Sequence, residues 1–197
     1  MWDGFRYDQF HGIDRLGIEC TLLEIQKLAY FLERNIEELS LRNILDLRFE
    51  ADKFGPYAQR LSPLLNDLDG SYLHCDKRLA DAGPLDVIWF EDAKKDKVAA
   101  YLTSPEAKPY RPALEATTEL IDGFESPLGM ELLATVDWLV RHEGVQPDTK
   151  AVQAGLRTWP GGPGSAERKQ RLLDDRLIDL ALQRLTQAAS RTRAVPG

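Results

Sequence analysis

A chain of 197 residues that is 43% hydrophobic and 29% charged has room for one ordinary domain and enough apolar surface to offset the entropy of ordering it, which excludes a disordered chain. Two cysteines are too few for a disulfide framework, no apolar run approaches the roughly 20 residues of a membrane span, and the opening stretch carries Asp3, Arg6 and Asp8 where a secretory signal has an apolar core, so a cytoplasmic protein is expected. The net charge of -7 is uneven: residues 165–197 hold seven basic against four acidic side chains, net +3, which leaves -10 on residues 1–164.

Residues 1–20 show no sustained periodicity and read as a lead-in whose aromatics (Trp2, Phe5, Tyr7, Phe10) can dock. Thr21 and Glu24 have the spacing of a capping box, and Leu22, Ile25, Leu28 or Ala29, and Leu32 recur at helical intervals, which predicts a helix over about 22–34. Leu45, Leu47 and Phe49 alternate with charged residues, the period of a half-buried strand over 45–50. Phe54-Gly55-Pro56-Tyr57 reads as a turn opening a helix whose buried face is Tyr57, Leu61, Leu64, Leu65 and Leu68.

A second strand is expected over 85–90, pairing with the first in a small sheet, and a helix over 91–102. Three prolines then bracket a loop before a helix over 113–124. Ser126-Pro127 has the form of an N-cap and first-turn proline for the next helix, which ends near Gly144, and a short helix covers 149–156. A glycine- and proline-rich break at 160–165 precedes a last helix over 166–185, with Leu172, Leu173, Leu177, Leu180 and Leu185 on its apolar side. The fold expected is α+β and predominantly helical: a single compact domain over 21–188 with six to eight helices and a small two- or three-stranded sheet, then a flexible tail over 189–197.

Chemistry is harder to seat. The three histidines (His11, His74, His142) and two cysteines lack zinc-ligand spacing, and no phosphate loop, nucleophile elbow or metalloprotease motif is present, so no metal, cofactor or catalytic residue is expected. Glu131 and Asp137 could do acid-base work as a pair, but a solvated helix face is the plainer reading. Arg168, Lys169, Arg171 and Arg176 make the last helix basic, with Trp159 upstream; this admits a nucleic-acid-binding regulatory domain, or a solvated face paired with Asp174 and Asp175. The strongest charge block runs from Pro112 to Asp148, with eight carboxylates against Arg141 alone, net -7. Such a surface repels phosphate and suits a basic protein, so no direct contact with nucleic acid is expected.

Leu23-Glu24-Ile25-Gln26-Lys27-Leu28-Ala29-Tyr30-Phe31, Leu47-Arg48-Phe49 and Phe54-Gly55-Pro56-Tyr57, followed by the stretch from Ile121 to Val136 and by Trp159 with Arg168-Lys169, resemble the toxin-neutralising C-terminal domain of DarG antitoxins. The first block is also similar to the broader Panacea, or SocA-like, group. The resemblance covers about residues 21–185. It implies a non-enzymatic antitoxin domain that binds a DarT-like toxin, an enzyme that ADP-ribosylates thymidine in single-stranded DNA. In full-length DarG an upstream macrodomain removes the ADP-ribose; no macrodomain precedes Leu22, so that activity is not expected of this chain. A general protein adaptor is the other alternative. Under the antitoxin reading Glu115, Glu119 and Asp122, at i, i+4 and i+7, line one face of the 113–124 helix, with Glu125 extending the row, as an acidic imitation of DNA. The bland alternative is a solvated helix face.

Overall fold

The computed structural model describes residues 19–194. Eight α-helices and two small sheets make up these residues: β1 (Glu19–Thr21), α1 (Leu22–Glu38), β2 (Glu50–Asp52), β3 (Gly55–Tyr57), α2 (Leu61–Leu68), β4 (Leu73–Cys75), β5 (Val87–Phe90), α3 (Lys95–Leu102), α4 (Arg111–Ile121), α5 (Pro127–Arg141), α6 (Thr149–Arg157), α7 (Pro163–Leu172) and α8 (Asp175–Ala194). The fold is the α+β, mainly helical single domain that the periodicities predict. The aromatics Trp2, Phe5, Tyr7 and Phe10, with His11, lie outside the described residues, whereas Glu19 and Cys20 of the expected lead-in form β1.

The α1 helix is the central strut. Its capping box forms as the sequence implies, Thr21 N donating to Glu24 Oε2 at 2.7 Å and Glu24 N to Thr21 Oγ1 at 3.3 Å. It is packed on two sides. Leu22, Ile25 and Ala29 meet a small core of Leu47, Ala58, Leu61 and Leu65, while Tyr30 and Phe31 join the large core built by α5, α6 and α8. The fully buried face therefore includes Gln26, Lys27, Arg34 and Asn35, and each must find a polar partner. Gln26 does so by exchanging two bonds with the backbone of Ala58, at 3.2 and 3.0 Å.

The strand expected at 45–50 is not a strand. Burial does alternate, with Leu47 buried and Asp46 and Arg48 exposed, but Asp46 and Arg48 hold left-handed φ of 44° and 56°. Side chains take the place of a ladder: Glu33 Oε1 accepts from Leu47 N and Asn43 Nδ2, and Asn43 Oδ1 from Leu45 N and Asp46 N. Nor does the Gly55-Pro56 turn open a helix. Residues 55–57 pair with 50–52 as a hairpin in register Ala51 with Pro56, and α2 begins later, at Leu61; Tyr57, Leu64 and Leu68 are correspondingly exposed.

The strand at 85–90 is real as β5, but its neighbours are β1 and β4, in the order β1-β5-β4, all antiparallel. Cys20 and Cys75 both face Ile88 in that register, on opposite sides of it. Two strand spacings, roughly 9–10 Å, separate them, beyond the reach of a disulfide. The last helix is two. Leu173 leaves the helical region at φ -104° and ψ 87°, and Asp174 Oδ1 accepts from Leu177 N to start α8, which leaves Leu180 exposed. No helix among the described residues is long and apolar enough to cross a membrane.

Candidate functional site

Two buried polar clusters organise the region around α1 and α5. In the first, Asp137 Oδ2 accepts from the Tyr30 hydroxyl at 2.7 Å and its Oδ1 from Arg34 Nε at 2.9 Å. Burial, then the neighbouring Asp137 charge, holds the Tyr30 phenol well above its ordinary range. Asn35 continues the network by donating to Thr117 Oγ1 at 2.9 Å, which in turn donates to Ala113 O.

This cluster is the floor of a cleft of about 250 Å³, walled by α1, the 43–49 segment and the end of α5. Its guanidinium groups are Arg34, Arg48 and Arg141; its rings are Tyr30, Phe49 and His142; its carboxylates are Glu33, Glu37 and Asp46. Most of these are committed. Arg141 is paired with Glu38, Glu33 is spent on Asn43 and Leu47, and the hydrogen bond from Arg48, with one from Arg60, lowers the Asp46 carboxyl below its usual range. Glu37 is the lining carboxylate with no ion pair among the described residues. His142 stacks on Trp138 with ring centroids 4.0 Å apart. The arrangement of guanidinium groups beside ring faces suits a planar base joined to phosphate, and the carboxylates suit sugar hydroxyls.

The second cluster lies beneath the β2–β3 hairpin. Lys169 donates to Glu131 Oε1 at 2.8 Å and to Thr135 Oγ1 at 3.0 Å, Arg168 bonds the same Glu131 oxygen, and Lys27 donates to Pro56 O at 2.7 Å. Burial, then the nearby Lys169 charge, pulls the Lys27 ammonium down to about 7, and burial lowers Lys169 as well. Gly55 makes the approach possible: a Cβ there would stand 3.2 Å from Thr135 Oγ1 and 3.3 Å from Lys27 Cε.

The fold places these residues otherwise than their sequence pattern implies. Glu131 and Asp137 are not a solvated face but are 1% and 2% exposed, and six helical positions send them to different clusters. Lys169 is not part of an exposed basic stripe; it is wholly buried, and Trp159 donates its indole N–H to Asp52 O at 2.9 Å beside it. The signal that could have found these residues is the Lys27, Glu131 and Lys169 positions falling on apolar helix faces.

The acidic row is only partly as expected. Glu115, Glu119, Asp122 and Glu125 are all exposed, but α4 ends at Ile121, and Asp122 takes the extended ψ of 121°, so only the first two share a helix face. Glu115 lies 3.7 Å from Arg111, and Glu125 accepts from Gly123 N.

No family model matches the chain. Three bacterial relatives do, each bearing the name DNA ADP-ribosyl glycohydrolase. The Thermus aquaticus protein is 39% identical over 147 residues, 73% of this chain and 37% of the relative. The Mycobacterium bovis and Mycobacterium tuberculosis proteins are each 31% identical over 169 residues, 85% of this chain and 44% of theirs. The chain thus spans less than half the length of the curated relatives that it matches. Their name is that of an enzyme, and it runs across most of this chain, which overturns the expectations of a separate toxin-neutralising domain, of a non-enzymatic protein, and of inhibition of a DarT-like toxin by DNA mimicry.

Proposed function

We propose that this chain works in the removal of ADP-ribose from DNA, as part of a DNA ADP-ribosyl glycohydrolase, and that the α1–α5 cleft receives part of the ADP-ribosyl group. The observation that carries the reading is the similarity to proteins of that name over 73–85% of the chain. The cleft supports it chemically: Arg48 and Arg141 keep guanidinium donors for a diphosphate beyond those they give Asp46 and Glu38, Phe49 and His142 offer ring faces for adenine, and Glu37 is a carboxylate at the rim able to meet a ribose hydroxyl or a water. Hydrolysis of a glycosidic bond commonly uses carboxylates to activate water and protonate the leaving group. A reducing cytoplasm is the compartment that fits, supported by two cysteines set too far apart to pair.

The test is direct. The protein is incubated with an ADP-ribosylated oligonucleotide and free ADP-ribose is quantified by mass spectrometry, while ADP-ribose is titrated against tryptophan fluorescence, to which Trp138 beside the cleft contributes. Release of ADP-ribose, or a saturable fluorescence change lost in Arg48→Ala, is the expected result. Neither release nor saturable binding at millimolar ADP-ribose would overturn the reading.

A further inference from the structure

Asp46 and Arg48, which line the cleft, hold left-handed φ of 44° and 56°, a region that arginine enters at a cost and that aspartate and asparagine tolerate better. Leu47 between them is buried, and its N–H is held by Glu33 Oε1 at 3.0 Å, so the two polar side chains are turned outward together. There Asp46 Oδ1 accepts from Arg48 Nε at 3.2 Å, and Asp46 Oδ2 accepts from Arg60 Nη1 at 2.5 Å. Arg60, which immediately precedes α2, also donates to Asp46 O at 3.0 Å. Two guanidinium groups from separate segments thus converge on one carboxylate, a local excess of positive charge. All three side chains are well exposed, 68% for Arg48, 63% for Asp46 and 47% for Arg60. Exposed ion pairs add little to stability, so stability does not account for a left-handed arginine. Strained backbone at a cleft wall is instead a common way of aiming functional side chains.

We propose that Arg48 and Arg60 form a phosphate subsite at the mouth of the cleft, and that Asp46 is a built-in competitor whose carboxylate a ligand phosphate displaces. A phosphate brings more acceptor oxygens and more charge than a carboxylate, and each guanidinium keeps N–H groups that Asp46 does not use. Asp46 has two effects in this scheme. It holds the two arginines in the convergent arrangement that an oxyanion needs, and it sets a threshold that a weakly bound, singly charged anion does not pass. Of the other carboxylates nearby, Glu33 is held by Asn43 Nδ2 and Leu47 N, while Glu37 and Glu50 are exposed on α1 and β2. Their charge opposes any anion at a distance, which leaves the subsite dependent on direct contact with the arginines. The phosphate belongs either to the ADP-ribosyl diphosphate or to the DNA strand that carries it; the inference rests on the proposed function for that choice, and not for the subsite itself.

The experiment titrates inorganic pyrophosphate, ADP-ribose and oligothymidine by isothermal calorimetry, each into the parent and into Asp46→Asn at low salt. Asparagine accepts left-handed backbone as well as aspartate does, so this variant keeps the turn and removes only the charge; its melting temperature should match the parent's. Asp46→Asn is expected to tighten phosphate binding about fivefold, the order of an exposed ion pair released for the ligand, and Arg60→Ala in that background to remove the gain. A gain with pyrophosphate and ADP-ribose identifies the diphosphate as the occupant, and a gain with oligothymidine alone identifies the strand. Asp96→Asn, on α3 and outside the cleft lining, makes the same change in net charge and should leave affinity within about twofold of the parent. No gain in Asp46→Asn with any of the three ligands, a gain that survives Arg60→Ala, or an equal gain in Asp96→Asn would each overturn the proposal. A pyrophosphate gain with neither binding nor release of ADP-ribose would leave the subsite standing and refute the glycohydrolase reading, whereas ADP-ribose release with no gain in Asp46→Asn would do the reverse.

Discussion

Arg34 and Asp137, 103 residues apart in sequence, meet at 2.9 Å with both side chains almost wholly buried, 8% and 3% exposed. A charge removed from water in this way is tolerable only while its counter-charge is present, so the pair locks α1 to α5 more by what its loss would cost than by what it adds. Asp137→Ala is expected to destabilise the fold by about 3–5 kcal/mol in urea melts, because it strands a buried guanidinium. Tyr30→Phe, which removes one neutral donor to the same carboxylate, should cost only about 1–2 kcal/mol. The double variant should cost less than the sum, since both changes act on one network.

The Lys27 ammonium titrates near 7 in the fold, against an ordinary 10.5. Between those values the unfolded chain binds a proton that the folded chain does not, so this group makes stability rise with pH, beginning at about 7. Above 9.0 the ordinary titration of a thiol intervenes with opposite sign, since burial, followed by Glu24, pushes Cys20 up to about 12. Below pH 9 that thiol is silent, and Lys169, also lowered by burial, adds to the rise with the same sign as Lys27. Lys27→Met is expected to lessen the rise of melting temperature between pH 7 and 9; an unchanged slope would place the titrating group elsewhere.

Gly161 is a second point where backbone fit decides stability. A Cβ at this position would lie 2.4 Å from Trp159 Nε1 and 2.7 Å from Asp52 O, within the very hydrogen bond that ties the hairpin to the end of α6. Gly161→Ala should break that bond and destabilise the protein by at least about 2 kcal/mol, read by thermal melting. Gly164→Ala, where a Cβ meets nothing within 4 Å, should change little.

The two thiols should differ in reactivity although both flank Ile88. The thiolate is the reactive form, and Cys20 forms it only near pH 12. Iodoacetamide at pH 8 should therefore modify Cys75 well before Cys20, with tryptic mass spectrometry as the readout, and no intramolecular disulfide should appear on mild oxidation.

Most helices could be read in the sequence because their starts are chemical: Thr21 with Glu24, Ser126 with Pro127, and Asp148 each accept a backbone N–H where the helix begins. The non-strand character of residues 45–49 could not. Alternating burial at Leu45, Leu47 and Phe49 mimics a strand, yet it is produced by left-handed residues and side-chain caps, which leave no periodic trace. The break at Leu173 was hidden because Leu172, Leu173 and Leu177 keep an apolar pattern across two helices. The polar clusters escape the sequence for a related reason: Lys27, Glu131, Asp137 and Lys169 look like surface residues one at a time, and only the tertiary structure gives each a buried hydrogen-bond partner. The exposure of the acidic row is legible in the sequence, but the end of its helix at Ile121 is not, since it depends on Asp122 turning out of the helix.

The two-sided packing of α1 bears on how the molecule comes apart. A helix with solvent along one flank can fray while its neighbours hold, but α1 forms a wall shared by both apolar cores and carries buried partners for the hairpin, α4 and α5. Neither core can open without drawing the other with it. Amide hydrogen exchange should accordingly find the protons of Tyr30, Phe31 and Arg34 among the slowest in the protein, exchanging only through global unfolding, while those of α2 and α3, each packed on a single side, leak out through smaller openings.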